Sequence, residues 1–296
     1  MKSGLVALVG RPNAGKSTLI NRLVGTKVAI VSDKPQTTRN RIVGVRNVSG
    51  AQLVLVDTPG IHRPLHRMNV RMVDLAVQSM TQADVVCVVA DATGAIGGGD
   101  SYLADLVARV PVPVVLALNK IDAVEKPSLL PLMQQWSAKA RFADLVPISA
   151  LTGENVGRLE TVLVGHLPEG DPYYPDDYVT DQPERAFLAE IVREKVLTHT
   201  RDELPFSSAV LVDHLEEGET GGLVRVFCTI VVDRESQKPI VIGRGGAMIR
   251  RIGTEARQEM ERLLNAKVFL DLRVKTRSGW REDPRVLDQL GVVEEE

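Results

Sequence analysis

A glycine-rich run near the start of the chain has the residue types and spacing of a phosphate site. Residues 10–17 read GRPNAGKS and match the pattern G-x-x-x-x-G-K-[ST]. The glycines let backbone N–H groups approach a phosphate closely, the Lys16 ammonium matches its charge, and the Ser17 hydroxyl can ligate Mg²⁺. An ordinary turn between a strand and a helix would explain the glycines but not the Lys-Ser pair. We therefore predict that a phosphate chain is surrounded by Gly10, Arg11, Pro12, Asn13, Ala14, Gly15, Lys16, Ser17 and Thr18.

Residues 57–60 read DTPG and follow a short apolar run, residues 52–56. An acid at the carboxyl end of a central strand can reach the water shell of a phosphate-bound Mg²⁺, so Asp57 is the predicted acidic group of a metal site. Gly60 can offer its backbone N–H to a terminal phosphate because no Cβ stands in the way. A strand-ending Asp in a Pro-Gly turn is common, and alone the tetrapeptide is weak evidence. Beside the phosphate loop, it extends the predicted pocket to Asp57, Thr58, Pro59, Gly60 and Ile61.

Residues 119–122 read NKID after another apolar run, and they predict which base the pocket takes. The Asp122 carboxylate only accepts hydrogen bonds. Guanine offers N1–H and an N2 amino group on one edge, whereas adenine offers an acceptor there. Asn119 can tie the base to the phosphate loop, and the stem of Lys120 can lie along its ring. A helix-capping Asp is the ordinary alternative. The motif predicts a guanine site formed by Asn119, Lys120, Ile121 and Asp122.

A Ser-Ala pair, Ser149 and Ala150, follows the next predicted strand. Alone the dipeptide carries almost no information, but its position after the NKID motif would let the Ala150 N–H meet guanine O6. Four motifs thus lie in order at the carboxyl ends of predicted strands, which is the edge at which open α/β sheets bind ligands. The combination predicts an enzyme that binds GTP and GDP with Mg²⁺ and hydrolyses GTP.

Residues 32–41 form a polar loop that contains two adjacent threonines, Thr37 and Thr38. One threonine there could ligate Mg²⁺ while a γ-phosphate is bound and release it after hydrolysis, and we predict Thr38 for this role. Nucleotide is expected to order residues 32–41 and 57–66. The predicted metal ligands are Ser17, Thr38 and Asp57. The predicted catalytic groups belong to Lys16, Thr38 and Gly60.

The elements that must position these motifs follow from the spacing of apolar residues. Over about the first 165 residues, short runs rich in Val and Leu alternate with longer runs of helical periodicity. Such alternation predicts a doubly wound, mostly parallel α/β sheet, to which a hairpin across residues 49–51 would add one antiparallel strand. The predicted strands are residues 5–9, 42–48, 52–56, 85–90, 114–118 and 145–148. The predicted helices are residues 16–24, 70–81, 101–109, 128–140 and 156–167.

The pattern changes after residue 167, where four prolines in the next 16 residues exclude a long helix or a central strand. We therefore predict a first domain at 1–170, a linker at 171–184 and a second domain at 185–296. The second domain is predicted to be smaller and α+β, and the acidic residues 294–296 are expected to be frayed. Its predicted elements are a helix at 185–198, strands at 207–215 and 222–232, a helix from 247 and a strand at 267–275.

A second glycine-rich loop precedes the helix predicted from Ala247. A G-x-x-G loop can clamp the sugar-phosphate backbone of single-stranded RNA while the bases lie in an apolar groove. Residues 240–281 hold ten basic and four acidic residues, a net charge of about +6 in a chain whose net charge is −2. A basic run is often only a solvated helix face. Trp280 could stack a base or pack in the core, and Ile249 and Ile252 could line the groove or the core. The predicted RNA-binding residues are Ile242, Gly243, Arg244, Gly245, Gly246, Arg250 and Arg251.

The bulk composition, 44% apolar and 25% charged, is typical of a globular protein that buries sizeable cores. No apolar run is long enough to span a membrane, and the first one leads directly into a loop motif, unlike a signal peptide. We therefore expect a cytoplasmic protein. The two cysteines, Cys87 and Cys228, lie in separate apolar runs without metal-ligand spacing and are predicted to be small buried hydrophobes.

Taken together, these motifs resemble the Era family of bacterial ribosome-assembly GTPases. The resemblance implies a Ras-like GTPase domain followed by a type II KH domain. It also implies binding to the 3′ end of small-subunit (16S) ribosomal RNA, association with the small ribosomal subunit during its maturation and, for some members, peripheral contact with the inner face of the membrane. A monomer is expected. The residues that carry the resemblance are GRPNAGKST at 10–18, PQTTR at 35–39, DTPG at 57–60, NKID at 119–122, ISAL at 148–151 and VIGRGGAMIRRIGTEAR at 241–257.

One position departs from Ras-type enzymes. The residue after the DTPG motif is Ile61, where those enzymes place a Gln that orients the attacking water. An aliphatic side chain cannot hydrogen-bond a water, so unaided hydrolysis is expected to be slow. A switch-loop group, a backbone amide, potassium or the bound ribosome would compensate.

Two other functions stay open on sequence grounds. One is a metabolic kinase or ATPase, against which the NKID motif argues because adenine cannot satisfy Asp122. The other is a GTPase whose second domain binds only protein. Affinity for short single-stranded RNAs separates that alternative from RNA capture.

Overall fold

The computed structural model describes residues 1–61, 67–202, 204–216 and 222–292. These residues form two compact units, the first built mainly from residues 1–181 and the second mainly from residues 182–292. The expected ordering of residues 62–66 and the expected fraying of residues 294–296 lie outside the described residues. None of the described helices is long and apolar enough to cross a membrane.

The first unit is a six-stranded sheet with helices on both faces. The strands are β1 (Lys2–Val9), β2 (Ile42–Val48), β3 (Ala51–Asp57), β4 (Val85–Asp91), β5 (Val114–Asn119) and β6 (Asp144–Pro147). The helices are α1 (Lys16–Val24), α2 (Arg67–Gln82), α3 (Gly98–Val107), α4 (Leu129–Ser137) and α5 (Val156–His166). The strand order is β2-β3-β1-β4-β5-β6, and only β2 runs antiparallel among these strands. The predicted hairpin across residues 49–51 joins β2 to β3.

The strands are apolar on both sides because helices cover both faces of the sheet. Side chains of α1 and α5, among them Leu19 and Leu159, pack on one face. Side chains of α2, α3 and α4, among them Met80, Leu103 and Trp136, pack on the other. A parallel strand buried on both faces reads as a continuous run of Val, Leu and Ala rather than as an alternating one. This packing holds the carboxyl ends of β1, β3, β4, β5 and β6 at one edge.

Part of the predicted linker packs on the first unit. The rings of Tyr174 and Tyr178 stack with centroids 4.5 Å apart and cover an apolar patch of β2 and β3. The Val45 N–H donates to the Val179 carbonyl (2.8 Å), and the Thr180 hydroxyl donates to the Val43 carbonyl (2.6 Å). These bonds occupy backbone groups of β2, which is one of the two edge strands of the described sheet and would otherwise be open to pairing.

The second unit places its helices against one three-stranded sheet. Its elements are α6 (Glu184–His199), α7 (Leu204–Ser207), β7 (Ser208–Glu216), β8 (Val224–Val232), α8 (Lys238–Ile242), α9 (Ala247–Leu264), β9 (Val268–Thr276) and α10 (Pro284–Gln289). Strand β8 lies in the centre, antiparallel to β7 and parallel to β9. Helices α6 and α9 supply core residues such as Ile191, Ile252 and Met260.

Three elements of the second unit differ from the sequence-based expectations, and a fourth feature decides between two alternatives that the sequence left open. Strand β8 begins at Val224 rather than at residue 222, and α8 occupies part of what was expected to be a turn. Helix α10 was not predicted, although Asp283 accepts a hydrogen bond from the Arg285 N–H as its N-cap and Pro284 follows at the first helical position. Trp280 is fully buried and its Nε1–H donates to the Ser207 carbonyl (3.0 Å), so it packs in the core and does not stack on a base.

Both cysteines are buried, as the sequence predicted. Burial raises the pKa of each thiol to about 12, and nearby Asp213 and Asp271 add to the effect at Cys228. The thiolate is the reactive form of cysteine. Neither side chain is therefore available for nucleophilic or redox chemistry at neutral pH.

Candidate nucleotide site and glycine-rich loop

The first glycine-rich loop lies between β1 and α1, and its glycines are required by close contacts. A Cβ at Gly10 would lie 2.3 Å from the Val89 carbonyl oxygen. Gly15 has φ +98°, and a Cβ there would lie 2.2 Å from Asn119 Nδ2. Both contacts are far inside van der Waals distance, and a left-handed φ disfavours side chains in any case. The loop is therefore drawn tightly against the ends of β4 and β5.

Lys16 begins helix α1 and is held over the loop from which it emerges. Its ammonium donates to the carbonyls of Gly10 (3.3 Å) and Arg11 (3.2 Å), and the residue is 5% exposed. Burial lowers the pKa of Lys16, and the charge of Asp57 partly opposes that shift. A buried ammonium at a helix N-terminus attracts anionic ligands strongly. The ammonium has lost its hydration on burial, and a bound anion compensates for that loss by pairing with its charge.

Three oxygen-bearing side chains converge beside Lys16. The Ser17 hydroxyl donates to Asp57 Oδ2 (2.7 Å) and lies 2.8 Å from Thr38 Oγ1, which in turn donates to Asp57 Oδ2 (3.2 Å). Asp57 is fully buried, and within the described residues its Oδ1 has no hydrogen-bond partner. Burial raises the pKa of Asp57, against which Lys16 and the two hydroxyls act. In the described part of the chain this carboxylate oxygen has no hydrogen bond, and two hydroxyl oxygens lie beside it. Such a group of oxygen ligands suits Mg²⁺.

The DTPG turn packs directly against the phosphate loop. The Ile61 N–H donates to the Gly10 carbonyl (3.0 Å), and a Cβ at Gly60 would lie 2.7 Å from the Pro12 nitrogen. Thr58 is buried and its hydroxyl donates to the Leu8 carbonyl (2.9 Å). The Ile61 side chain is 0% exposed and belongs to the core under the sheet. It therefore points away from any bound phosphate and has no polar atom to offer a water.

The two base-site motifs meet at the ends of β5 and β6. Asn119 donates from Nδ2 to the Ala14 carbonyl (2.8 Å) and accepts at Oδ1 from the Ala150 N–H (2.9 Å), which ties the phosphate loop to the Ser-Ala loop. The Ser149 hydroxyl donates to Asp122 Oδ1 (2.5 Å). Asp122 is exposed.

Sequence reasoning missed one residue of this region, Asp91. The Lys120 ammonium donates to Asp91 Oδ2 (2.5 Å), which directs the lysine across the end of β4. Asp91 is partly buried, which raises its pKa, but its hydrogen bonds from Lys120 and Thr93 outweigh burial and leave the pKa lowered. An acid at the carboxyl end of the predicted strand 85–90 was the available signal.

The second glycine-rich loop joins α8 to α9 in the second unit. Gly243, Gly245 and Gly246 all have positive φ, of +74°, +60° and +77°. A Cβ at Gly243 would lie 2.7 Å from the Met248 nitrogen, whereas a Cβ at Gly245 would meet nothing within 4 Å. Gly243 is therefore required for the turn, and Gly245 exposes backbone at the tip of the loop.

A groove of about 420 Å³ runs from this loop between α9 and β9. It is lined by Gly246, Ile249, Arg250, Gly253, Thr254, Arg257, Leu270 and Leu272. Arg250 thus lies in the groove, and Ile242 is 37% exposed beside it. Arg251 instead pairs with Glu255 (3.1 Å), and Ile252 is fully buried in the core, so neither lines the groove. Arg244 is exposed on the loop.

The fold and the two loops define a P-loop GTPase domain of the Ras-like class, followed by a KH domain. Two family profiles agree: "50S ribosome-binding GTPase" matches residues 5–120, and "KH domain" matches residues 208–281. The GTPase Era of Geobacter metallireducens is 49% identical over 290 residues, which cover 98% of this chain and 97% of that protein. The GTPase Era of Heliobacterium modesticaldum is 45% identical over 294 residues, 99% of this chain and 98% of that protein. The chain belongs to the Era family of GTPases, as its motifs predicted.

Two solved structures of Era proteins have the same fold over the whole chain. One is an Aquifex aeolicus Era variant bound to GDP and AlF4⁻, and the other is Era in complex with MgGDPNP and nucleotides 1506–1542 of 16S ribosomal RNA. Each is 41% identical to this chain, superposes with a TM-score of 0.96 and covers 99% of this chain and 100% of the solved one. The predicted fold class, a Ras-like GTPase domain followed by a KH domain, is confirmed.

Proposed function

We propose that the protein binds GTP and GDP with Mg²⁺ in its first unit, hydrolyses GTP, and holds single-stranded 16S ribosomal RNA near its 3′ end with its second unit. In this role it assists assembly of the small ribosomal subunit, and the bound nucleotide controls RNA and ribosome binding. The observation that carries the proposal is that Lys16, Asp57 and Asp122 lie at the same edge of the sheet. At that edge Lys16 offers positive charge to phosphates, Asp57 offers an oxygen ligand to a metal, and Asp122 offers a hydrogen-bond acceptor to guanine.

The proposed nucleotide pocket has three parts. Backbone N–H groups of the phosphate loop and the Lys16 ammonium bind the β- and γ-phosphates, and the Gly60 N–H meets the γ-phosphate. Asn119 joins the base loop to the phosphate loop, and Asp122 recognises guanine. The Ala150 N–H, which the sequence predicted would meet guanine O6, donates to Asn119 Oδ1 instead. The proposed set is Gly10, Arg11, Pro12, Asn13, Ala14, Gly15, Lys16, Ser17, Thr18, Asp57, Thr58, Pro59, Gly60, Asn119, Lys120, Ile121, Asp122, Ser149 and Ala150. Ile61, also predicted from the sequence, is left out because its side chain is buried in the core and its N–H donates to the Gly10 carbonyl.

The proposed Mg²⁺ site uses the hydroxyls of Ser17 and Thr38 and the carboxylate of Asp57. Among the described residues, Oδ1 of buried Asp57 has no hydrogen-bond partner, which supports this assignment, since a buried carboxylate oxygen without a hydrogen-bond donor is costly unless a cation offsets it. When bound, Mg²⁺ would neutralise charge that develops between the β- and γ-phosphates. Thr38 is favoured over Thr37 because its hydroxyl lies within hydrogen-bond distance of Ser17 and Asp57.

Hydrolysis without RNA or ribosomes is expected to be slow, with turnover well below about 1 s⁻¹. The reason is that Ile61 stands where a water-orienting Gln is found in Ras-type enzymes, and its side chain is buried in the core. Phosphate release from purified protein measures this rate. Ile61→Gln is not expected to restore activity, because the new side chain would enter the core rather than approach the phosphates. Turnover of about 1 s⁻¹ or faster without RNA would contradict the proposal.

The proposed RNA site is the loop and groove of the second unit. The Gly245 tip lets a sugar-phosphate backbone approach, the N-terminus of α9 and Arg244 attract phosphate, and the groove beside Ile249 and Leu272 accepts bases. The solved structure of Era in complex with a fragment of 16S ribosomal RNA supports RNA as the partner. The proposed contacts are Ile242, Gly243, Arg244, Gly245, Gly246 and Arg250. Arg251, also predicted from the sequence, pairs with Glu255 and is not among them.

We further propose that the protein is a cytoplasmic monomer. Its resemblance to the Era family also suggests peripheral contact with the inner face of the membrane. The proposed domain limits are 1–170, 171–184 and 185–296, with residues up to 181 packed on the first domain. GTP is proposed to order residues 32–41 and the DTPG segment, and this ordering would set whether RNA is held.

Crosslinking of the protein to cellular RNA in the presence of a non-hydrolysable GTP analogue tests the proposal as a whole. Sequencing of the captured RNA is expected to recover the 3′ end of 16S ribosomal RNA, with less recovered when GDP replaces the analogue. Filter binding of the matching short RNA at two salt concentrations gives the electrostatic share of the affinity. Capture of no RNA under either nucleotide would favour a second domain that binds only protein.

A further inference from the structure

The three-stranded sheet of the second unit carries a row of aromatic rings on the face opposite to its helices. The rings of His214, Phe227 and Phe269 come from β7, β8 and β9 in turn, and we call them the aromatic row. Centroids of neighbouring rings lie 6.1 Å apart, at interplanar angles of 40° and 60°. Aromatic rings attract one another at such distances, so the row is a defined arrangement rather than three independent side chains.

The alternation of side chains along the strands places the aromatic row on the outer face of the sheet. Val226 and Leu270 pack in or against the core that α6 and α9 cover. Successive side chains of a strand point to opposite faces, so Phe227 and Phe269 point away from that core. Phe269 is 47% exposed, and the side chain of His214 is 59% exposed. Adjacent exposed aromatic side chains mark a binding surface more often than single apolar residues do.

The groove proposed to hold RNA leads toward the aromatic row. A Cβ at Gly253 of α9 would lie 3.3 Å from Leu272 Cδ1. Farther along the same helix, Glu261 Oε1 accepts a hydrogen bond from the Val268 N–H (3.2 Å). Positions on α9 that are farther from the glycine-rich loop therefore lie beside earlier residues of β9. An RNA that follows the groove away from the loop reaches the start of β9, where Phe269 lies.

Only one strand separates the groove from the aromatic row. Within the described residues β9 is an edge strand of its sheet, whose order is β7-β8-β9. Leu270 lines the groove, and its neighbour in the chain, Phe269, belongs to the aromatic row on the other face. The path round this edge is therefore as short as the width of one strand, about 5 Å. A single RNA strand can turn round it without leaving the protein surface.

We propose that the aromatic row is a second RNA-binding surface, on which bases of the strand that leaves the groove stack. The inference rests on the proposed binding of RNA in the groove. Single-stranded RNA fits this surface because every base has a π-face that stacks on an aromatic ring. Arginines of the same face are paired with acids, Arg225 with Glu216 (3.4 Å) and Arg273 with Asp271 (3.5 Å). Stacking rather than phosphate contact therefore supplies the affinity here, and this part of the affinity depends little on salt.

Fluorescence anisotropy of the full-length protein with two labelled RNAs tests the proposal. One RNA has about four nucleotides of the 16S 3′ end, the length that a G-x-x-G loop clamps, and the other extends it at both ends to about 12 nucleotides. Phe269→Ala is expected to weaken binding of the longer RNA at least about fivefold and to leave the shorter RNA unchanged. Phe269→Trp should keep the wild-type affinity because its ring still stacks. Phe269→Leu should lose about as much as the alanine variant, because it is apolar but has no ring.

The salt dependence separates the aromatic row from the glycine-rich loop. For the longer RNA, Phe269→Ala should leave the slope of log affinity against log salt unchanged, whereas Arg244→Ala should make it less steep by about 0.7. Tyr102→Ala is the matched control, because Tyr102 is an aromatic residue of α3 in the first unit and is 42% exposed. It should bind both RNAs as the wild type does.

Three results would overturn the proposal. Equal affinities of the wild type and Phe269→Ala for the longer RNA would leave the row without a base, as expected if it docks a protein instead. Wild-type affinity in Phe269→Leu would mean that no ring is needed. A similar loss for both RNAs in Phe269→Ala would mean general damage to the domain. Failure of the wild type to bind either RNA would instead contradict the proposed RNA site itself.

Discussion

Asp122→Asn is expected to switch the base preference of the pocket from guanine to xanthine, with a loss of GDP affinity on the order of a hundredfold or more. The carboxylate can only accept hydrogen bonds, so it pairs with the N1–H and N2 amino group of guanine. An asparagine amide donates from Nδ2, which suits the 2-carbonyl of xanthine and leaves the guanine amino group facing another donor. Equilibrium titrations with GDP, XDP and ADP measure the change.

The structure makes this substitution a test of chemistry rather than of folding. The Ser149 hydroxyl donates to Asp122 Oδ1, and the Oδ1 of an asparagine can accept the same bond. Asp105→Asn on the exposed face of α3 removes the same charge far from the loop and serves as the control, with GDP and XDP affinities expected to match the wild type. Unchanged GDP affinity in Asp122→Asn would remove the assignment of this residue to the base.

Gly245→Asp is expected to reduce binding of single-stranded RNA on the order of tenfold to a hundredfold while leaving GTP binding unchanged. The new carboxylate would stand at the tip of the loop where a phosphate is proposed to lie, and like charges there repel at short range. The fold should tolerate the change, because a Cβ at Gly245 meets nothing within 4 Å and Asp is among the residues that adopt a positive φ. Filter binding with a short 16S 3′-end RNA gives the RNA affinity.

Gly245→Asn separates charge from shape in this experiment. Asparagine has nearly the same volume as aspartate and a similar tolerance of positive φ, so the ratio of the two RNA affinities isolates the carboxylate. Gly243 is unsuitable for the purpose, since a Cβ there would collide with Met248. Equal weakening of RNA and GTP binding by Gly245→Asp would indicate a structural defect, and equal RNA affinities of the Asp and Asn variants would argue against a phosphate at the loop tip.

Much of the first unit was predictable because its chemistry lies in short contiguous motifs. Each motif follows a strand whose apolar run is visible in the sequence, and the predicted strands agree with β1 to β6 to within a few residues. The predicted helix boundaries were less accurate, since α3 begins at Gly98 rather than at residue 101 and α4 ends at Ser137 rather than at residue 140. Helix ends depend on capping contacts that periodicity does not report.

The second unit was predictable in outline for the same reason. The Gly-rich loop before α9 and the surrounding basic residues predicted RNA binding, the spacing of apolar residues predicted the element order, and the resemblance to the Era family implied the KH domain. The sequence did not show which apolar side chains of this unit point into the core. Ile252 and Trp280 are both fully buried, while Ile249 lines the groove. Apolar residues at helical spacing, such as Ile249 and Ile252, cannot be distinguished in the sequence. Only the position of the facing sheet decides which of them lies in the core and which lines the groove.

The sequence by itself determined the class of site, because the glycines that need a positive φ, the lysine and serine that meet a phosphate and metal, and the acid that selects guanine are properties of residue type at fixed local spacing. The tertiary structure decided which distant residues of the chain contact one another. It brought Thr38 to Ser17 and Asp57, and it left one oxygen of Asp57 without a hydrogen-bond donor from the part of the chain that the structure describes. It also stacked Tyr174 and Tyr178 on an edge strand and joined Arg22 to the loop after β6. The hydrogen bonds among these contacts join residues from 19 to 129 positions apart. Burial and hydrogen-bond pairing across such separations depend on how helices pack on the sheet, which no local pattern contains.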